Sequence, residues 1–223
     1  MLNPMPKTFV YTPPTEPWLS VLYEDKDIIV LDKPSGLLTV PGKDPALHDS
    51  LETRVQQRLP TAKVVHRLDK DTSGVLLMAL NKPALGHLGR QFEQRRTTKA
   101  YVARVWGDLA EARGMVELPL ATDWENKPRQ KVDWAHGRPS RTEWEVIGHE
   151  NGATRVRLTP HTGRTHQLRV HMLAIGHPIL GDVFYATGEA LAAADRLQLH
   201  AETLGFAHPA DGRAMIMRAP CPF

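Results

Sequence analysis

Residues 64–74, VVHRLDKDTSG, constrain this chain more than any other stretch. Val64 and Val65 open an apolar run that resumes as GVLLMAL, residues 74–80. Such runs read as buried strands. Between them stand His66, Arg67, Asp69, Lys70 and Asp71, which a sheet interior does not accept. Asp-Lys-Asp-Thr-Ser-Gly is good turn chemistry, because short polar side chains bond their own backbone and glycine takes a left-handed conformation. The stretch therefore predicts a strand over VVHRL, a charged loop, and a second strand. On local evidence Arg67 is a surface residue paired with either acid.

The remaining pattern is mixed. Residues 1–17 carry five prolines and read as an extended, poorly ordered lead-in. SVLYEDKDIIVLDKPSG reads as a hairpin, two apolar runs around the turn-prone EDKD. Ser50 caps a helix with Leu51, Val55 and Leu59 on one face, stopped by Pro60. KPALGHLGRQFEQR carries Pro83 early, with Leu85, Leu88 and Phe92 at helical spacing. KAYVARVWG alternates as a half-buried strand does, and GMVEL, QKVDW, RTEWEVIG and ATRVRLTP predict further short strands. A last helix is predicted from near Thr165, lined by Leu168, Met172 and Ile175. Strands outnumber helices and do not alternate strictly with them. That predicts an α+β fold with a mixed, mostly antiparallel sheet and flanking helices.

Several chemistries lack their residues. A single cysteine, Cys221, leaves no disulfide framework and no cysteine metal cluster. His166 and His171 lack the spacing of a His-Glu-x-x-His site, so no metal is expected. No phosphate-cradling Gly-x-x-x-x-Gly-Lys loop and no dinucleotide glycine fingerprint occurs, so no cofactor is expected. Ser73 lacks the Gly-x-Ser-x-Gly setting of a hydrolase. No apolar run approaches the roughly 20 residues of a membrane span. No signal-peptide core precedes residue 18. The expectation is a cytoplasmic protein.

Net charge is only +3, but its distribution is uneven. Residues 90–104 hold five basic residues against one acid. Residues 155–171 hold four arginines, three histidines and no acid. Each segment is +4, which leaves the remainder at −5. Two basic segments on an acidic chain predict a phosphate-binding surface. A second oddity lies in HTGRTHQLRVHM. Arg169 falls on the otherwise apolar side of a short helix, where a half-buried guanidinium needs a carboxylate partner.

HRLDKDTSG resembles the signature of the RluA-type pseudouridine synthases, His-Arg-Leu-Asp-x-x-Thr-Ser-Gly. YEDKDIIVLDKPSGLLTVPG resembles that family's N-terminal hairpin and Lys-Pro-x-Gly turn. KAYVARVWG resembles its tyrosine strand, and TGRTHQLRVHMLAIGHPILGD its arginine helix with the following loop. The resemblance runs from about Trp18 to the C-terminus and is greatest to short, dual-specificity members. It implies a single catalytic domain over 18–223 with a central RNA-binding cleft. With only some twenty residues before the hairpin, no accessory N-terminal RNA-binding domain is expected.

The resemblance also implies a reaction, conversion of uridine in RNA to its C-glycoside isomer. The target nucleotide must leave its stack, at a cost of a few kcal/mol. By the same resemblance Asp69 is the catalytic carboxylate. The residues do not choose between attack on the base, attack on the sugar and removal of a ribose proton. Arg169 is implied as its salt-bridge partner. Tyr101 is implied as the active-site tyrosine, stacking on the extruded uracil and serving proton transfer at C5. Arg67 would fill the gap left by the base, and Leu168 would pack on the uracil or Tyr101. His66, Thr72 and Arg164 complete the expected substrate-binding set, His66 and Thr72 by shaping the loop. The expected partners are a tRNA anticodon stem-loop and a 23S rRNA hairpin, bound by a monomer. Within the family, the alternative is a synthase acting on another tRNA or rRNA uridine. Two other classes fit parts of the sequence. A non-catalytic RNA-binding protein would use the basic segments alone, and a carboxylate hydrolase would need Asp71 as a second acid.

Overall fold

The computed structural model describes residues 10–223, so the first nine residues of the expected lead-in lie outside the described residues. The chain divides into two compact units, one holding residues 10–99 and 200–222, the other residues 100–199 and 223. Among the described residues no helix is long and apolar enough to cross a membrane.

In the unit of residues 10–99 and 200–222, β1 (Val21–Glu24) and β2 (Ile28–Lys33) form the expected antiparallel hairpin. β3 is only Lys63–Val64, and β4 runs Ser73–Ala79. β4 pairs antiparallel with β2 and β3, and parallel with β11 (Leu199–Ala207), which carries β12 (Ala214–Arg218). Every β4 residue is buried, as its unbroken apolar run requires. Val75, Leu77 and Ala79 pack with Ile28, Val30 and with Ala84 and Leu88 of α2 (Lys82–Glu93). The intervening Leu76 and Met78 are also fully buried, so both faces are covered. α1 (Leu51–Gln56) is capped by Ser50 through a reciprocal capping box with Thr53. α2 is capped by Asn81, with Pro83 in its first turn.

The described part of the lead-in has neither helix nor strand. It is tied down nonetheless. The Tyr11 hydroxyl donates to the Asp49 carbonyl and accepts from the Leu38 amide, and the Pro14 carbonyl accepts from Arg54.

In the other unit, β5 (Thr98–Trp106, entering from the first unit), β10 (Ala153–Pro160), β9 (Arg141–Glu150) and β6 (Arg113–Glu117) pair antiparallel in that order. Ala103, Val105, Val116, Trp144, Val156 and Leu158 form a core closed by Leu168 and Met172 of α3 (Gln167–Ala174), with Ile175 against it. A small hairpin joins β7 (Leu120–Thr122) to β8 (Gln130–Val132).

The α+β expectation holds. Several local expectations do not. α1 ends at Gln56, so Leu59 lies beyond the helix it was expected to line. Of VVHRL only Val64 is in a strand, the two-residue β3. Past Val64 the side chain of His66, and not a backbone carbonyl, accepts the Leu77 amide at 3.0 Å, so the ladder ends there. The helix near Thr165 starts at Gln167 and is not the last. α4 (Gly188–Ala192) follows, placing Ala190 against Ala153 and Leu180. β7, β11 and β12 were also not anticipated.

Candidate functional site

Residues 65–72 leave the sheet as a loop and are clamped from the turn after β2. Lys33 is fully buried, and its ammonium donates to the carbonyls of Pro34, Leu37 and Lys70 at 2.9, 2.7 and 2.9 Å. The Gly36 amide donates to the same Lys70 carbonyl, and the Ser35 hydroxyl donates to that of Asp71. Thr39 Oγ1 donates to the Leu68 carbonyl and accepts the Leu68 amide. A charge-assisted knot of this kind holds a loop far more firmly than its own turn chemistry does. It leaves Arg67 exposed and Asp69 half-buried, whereas Leu68 and Thr72 are buried. The Thr72 amide closes the turn on the Asp69 carbonyl, and Lys70 pairs with Asp71 at 3.1 Å.

The last two signature residues join the loop to β11. Ser73 Oγ is 2.9 Å from His200 Nδ1, and His200 Nε2 is 3.1 Å from the Ala219 carbonyl. That carbonyl requires the proton on Nε2, so Ser73 donates to Nδ1. Gly74 has φ +114, and a Cβ there would stand 2.2 Å from the Ala201 carbonyl oxygen. The signature glycine is thus required by close approach of two parallel strands, not only by the turn.

His66 stacks on Phe92 with ring centroids 4.7 Å apart. Burial, and then the charge of Lys99, hold its pKa down at about 3. His66 is therefore a neutral acceptor for β4 near neutral pH.

Tyr101 and Arg169 lie in the other unit. Tyr101 sits on β5 opposite Leu158, half-buried against the core. Leu168 is buried in that core. Arg169 is 2% exposed and forms a two-pronged pair with Asp182, Nε to Oδ2 at 2.7 Å and Nη2 to Oδ1 at 2.6 Å. Asp182 is 1% exposed and also accepts the amides of Phe184 and Tyr185. The guanidinium lies over the Phe184 and Tyr185 rings, 5.0 and 5.2 Å from their centroids. The buried arginine thus has a carboxylate partner that the sequence reading did not name. Asp182 closes the stretch HTGRTHQLRVHMLAIGHPILGD, thirteen residues beyond Arg169. A lone acid after an apolar, glycine-bearing turn was the available signal.

α3 begins under constraint. His166 has a left-handed backbone at φ 53, and its Nδ1 is 2.7 Å from the Tyr185 hydroxyl. Gln167 braces the entrance, its Oε1 accepting from Thr162 Oγ1 and the Arg164 amide, its Nε2 donating to Thr142 Oγ1 and the Arg141 carbonyl. Arg164 Nε donates to the Pro139 carbonyl at 3.3 Å. Burial lowers the pKa of His171, whose two ring nitrogens meet Thr142 and Ser140.

The comparisons with known proteins agree with these motifs. The sequence model of the family described as RNA pseudouridylate synthase matches residues 27–174, most of the chain. The chain belongs to the RNA pseudouridylate synthase family. It is 55% identical over 214 residues to the dual-specificity RNA pseudouridine synthase RluA of Escherichia coli K12, covering 96% of this chain and 98% of that protein. The RluA protein of Vibrio vulnificus is 50% identical over 218 residues, 96% and 87% of the two chains. Among solved structures, human RNA pseudouridylate synthase domain containing 1 superposes with a TM-score of 0.77 at 33% identity, over 98% of this chain and 87% of its own. This family chain is an isomerase, which excludes the two other classes weighed from sequence, a binder without catalysis and a carboxylate hydrolase.

Proposed function

We propose that this pseudouridine synthase acts on two RNAs, a tRNA anticodon stem-loop and a 23S rRNA hairpin, in the cytoplasm and as a monomer. The observation that carries the reading is the 55% identity, over nearly the whole length of both chains, to enzymes named for dual specificity. The intact HRLDKDTSG signature at residues 66–74 supports it.

In this reading the uridine is extruded from its stack, and Arg67, exposed on the clamped loop, takes the vacated place. Asp69 supplies the carboxylate that initiates cleavage of the C1′–N1 bond. The uracil turns while held, with Leu168 and the Tyr101 ring as its packing surface. C5 then bonds to C1′. The C5 proton leaves and N1 takes one up, so the reaction balances without redox or energy input. Tyr101 serves that proton transfer, and Arg169 holds the carboxylate's charge. His66, Thr72 and Arg164 shape the loop and the helix entrance. The firmness of the Lys33 clamp supports the assignment of Asp69, because a reacting group needs a fixed direction.

The test is tritium release. Each of two RNAs, an anticodon stem-loop and a 23S hairpin, carries tritium at uridine C5 and is incubated with the protein. The expected result is release from both, lowered by roughly a thousandfold or more in Asp69→Asn. Release from one RNA alone removes the dual-substrate reading. Undiminished release by Asp69→Asn removes the assignment of the carboxylate.

A further inference from the structure

The C-terminal half of α2 faces a pocket of about 380 Å³, lined by His87, Arg90, Gln91, Gln94, Arg96 and Gly212, with Ala207 at the end of β11. No carboxylate lines it. Gln91 is its floor, 6% exposed and fixed by paired bonds to the Ala207 amide and carbonyl, both 2.8 Å. Gln91 Nε2 lies 3.0 Å from His87 Nδ1. With Nδ1 accepting, His87 Nε2 carries its proton and is a donor. The lining charges are all positive, and His87 adds a donor.

The arginines of this region differ from about half of the others in the chain. Arg54, Arg58, Arg104, Arg155, Arg157, Arg169 and Arg213 each pair with a carboxylate. Among the described residues Arg90, Arg95 and Arg96 pair with none, although Glu93 lies within three residues of each. Two of the four arginines in the basic segment 155–171 are neutralised by Glu150 and Glu145, and a third by Asp182. In the segment 90–104, Arg104 is paired with Glu150, whereas the cluster of Arg90, Arg95 and Arg96 keeps its charge. One cation at the end of α2 would suffice to offset the helix dipole. Three do not serve that purpose.

The turn ending α2 gives an independent indication. The Arg96 amide bonds to the Gln91 carbonyl and the Arg95 amide to that of Phe92, with Arg95 at φ 56. This termination favours glycine at the left-handed position, and arginine there is strained. The chain accepts that strain and retains a third exposed guanidinium.

We propose that this pocket binds a backbone phosphate of the substrate RNA and anchors it by a contact that takes no part in the chemistry. The inference rests on the RNA-isomerase reading and adds to it a second, electrostatic hold made by Arg90 and Arg96, with His87 as donor. Guanidinium pairs suit a phosphate because two N–H groups meet two oxygens. The hold is sequence-independent and weakens with salt.

The test uses the full chain and the anticodon stem-loop and 23S hairpin RNAs. Binding is titrated at several salt concentrations, and turnover is measured at saturating RNA. The expected result for R90Q/R96Q is a Kd about tenfold higher near 0.1 M salt. The slope of log Kd against log salt should be shallower by about 1 to 2, with saturated turnover unchanged. R90K/R96K keeps both charges and should retain the slope, which also controls for misfolding. An unchanged Kd and slope in a folded R90Q/R96Q overturns the proposal. So does a loss of saturated turnover equal to the loss of binding, which would place these residues in the chemistry. If inorganic phosphate at millimolar level binds in an Arg90-dependent manner while RNA affinity is indifferent to both arginines, the pocket serves a small anion and the proposal falls. Failure of the wild-type protein to release tritium would instead refute the isomerase reading, so the two failures are separable.

Discussion

Asp182 grips Arg169 through both carboxylate oxygens, at 2.6 and 2.7 Å, with neither side chain more than 2% exposed. A buried ion pair of this geometry is not by itself a source of stability, since desolvation consumes much of the attraction. It fixes direction. The guanidinium plane is set by Asp182 on one edge and by the Phe184 and Tyr185 rings on its face.

Breaking that pair from one side takes a two-pronged partner from a buried charge. Asp182→Ala should lose about 3–5 kcal/mol in urea unfolding. The double variant Arg169→Met/Asp182→Leu should recover much of the loss, because neither charge remains to be desolvated. It should nonetheless release no tritium from uridine C5. A double variant that is stable and active would remove Arg169 from the reaction.

Lys33 is a second buried cation, and its acceptors are carbonyls on both sides of the clamp. Lys33→Met leaves those carbonyls without their ammonium and should cost about 3 kcal/mol or more. Hydrogen exchange gives a sharper readout. The Gly36 amide, which shares the Lys70 carbonyl with Lys33, should lose protection before the amides of β4 do. Equal loss across both segments would mean that Lys33 supports the whole unit and not the loop.

The low pKa of His66 has a stability consequence. Its folded-state pKa of about 3 lies below the unfolded value near 6.5, so between these limits the unfolded chain binds the extra proton. Stability therefore rises with pH across this window and is lost on acidification from about pH 6.5 downward. By pH 5 the His66 contribution should be a loss of about 1–2 kcal/mol. His171, lowered by burial, adds in the same direction. His66→Gln keeps an acceptor for the Leu77 amide and should flatten the urea midpoint between pH 6.5 and 4. A midpoint profile as steep as wild type would show that His66 is not the group being protonated.

Much of this protein was legible from local pattern. The EDKD hairpin, the Ser50 and Pro83 helix starts, and the alternation of KAYVARVWG each depend on residues a few positions apart, within reach of propensity and capping. DKDTS was legible as a charged loop for the same reason, whereas the strand expected over HRL before it does not form. Other features depended on residues far apart in the chain. Arg169 announced its need for a carboxylate, but helix spacing does not reach Asp182, thirteen residues on past a turn. Lys33 carried no signal beyond its place in the Lys-Pro-x-Gly turn, yet it is buried because carbonyls from residues 34, 37 and 70 converge on it. The census of basic segments counted Arg90 and Arg157 alike, and only cross-strand pairing with Glu145 separates the neutralised from the available. Sequence determined which short segments bend, extend or coil, since those choices are made by neighbouring backbone and side-chain atoms. Tertiary structure decided which charges meet, since a buried ion's partner depends on where distant segments come together.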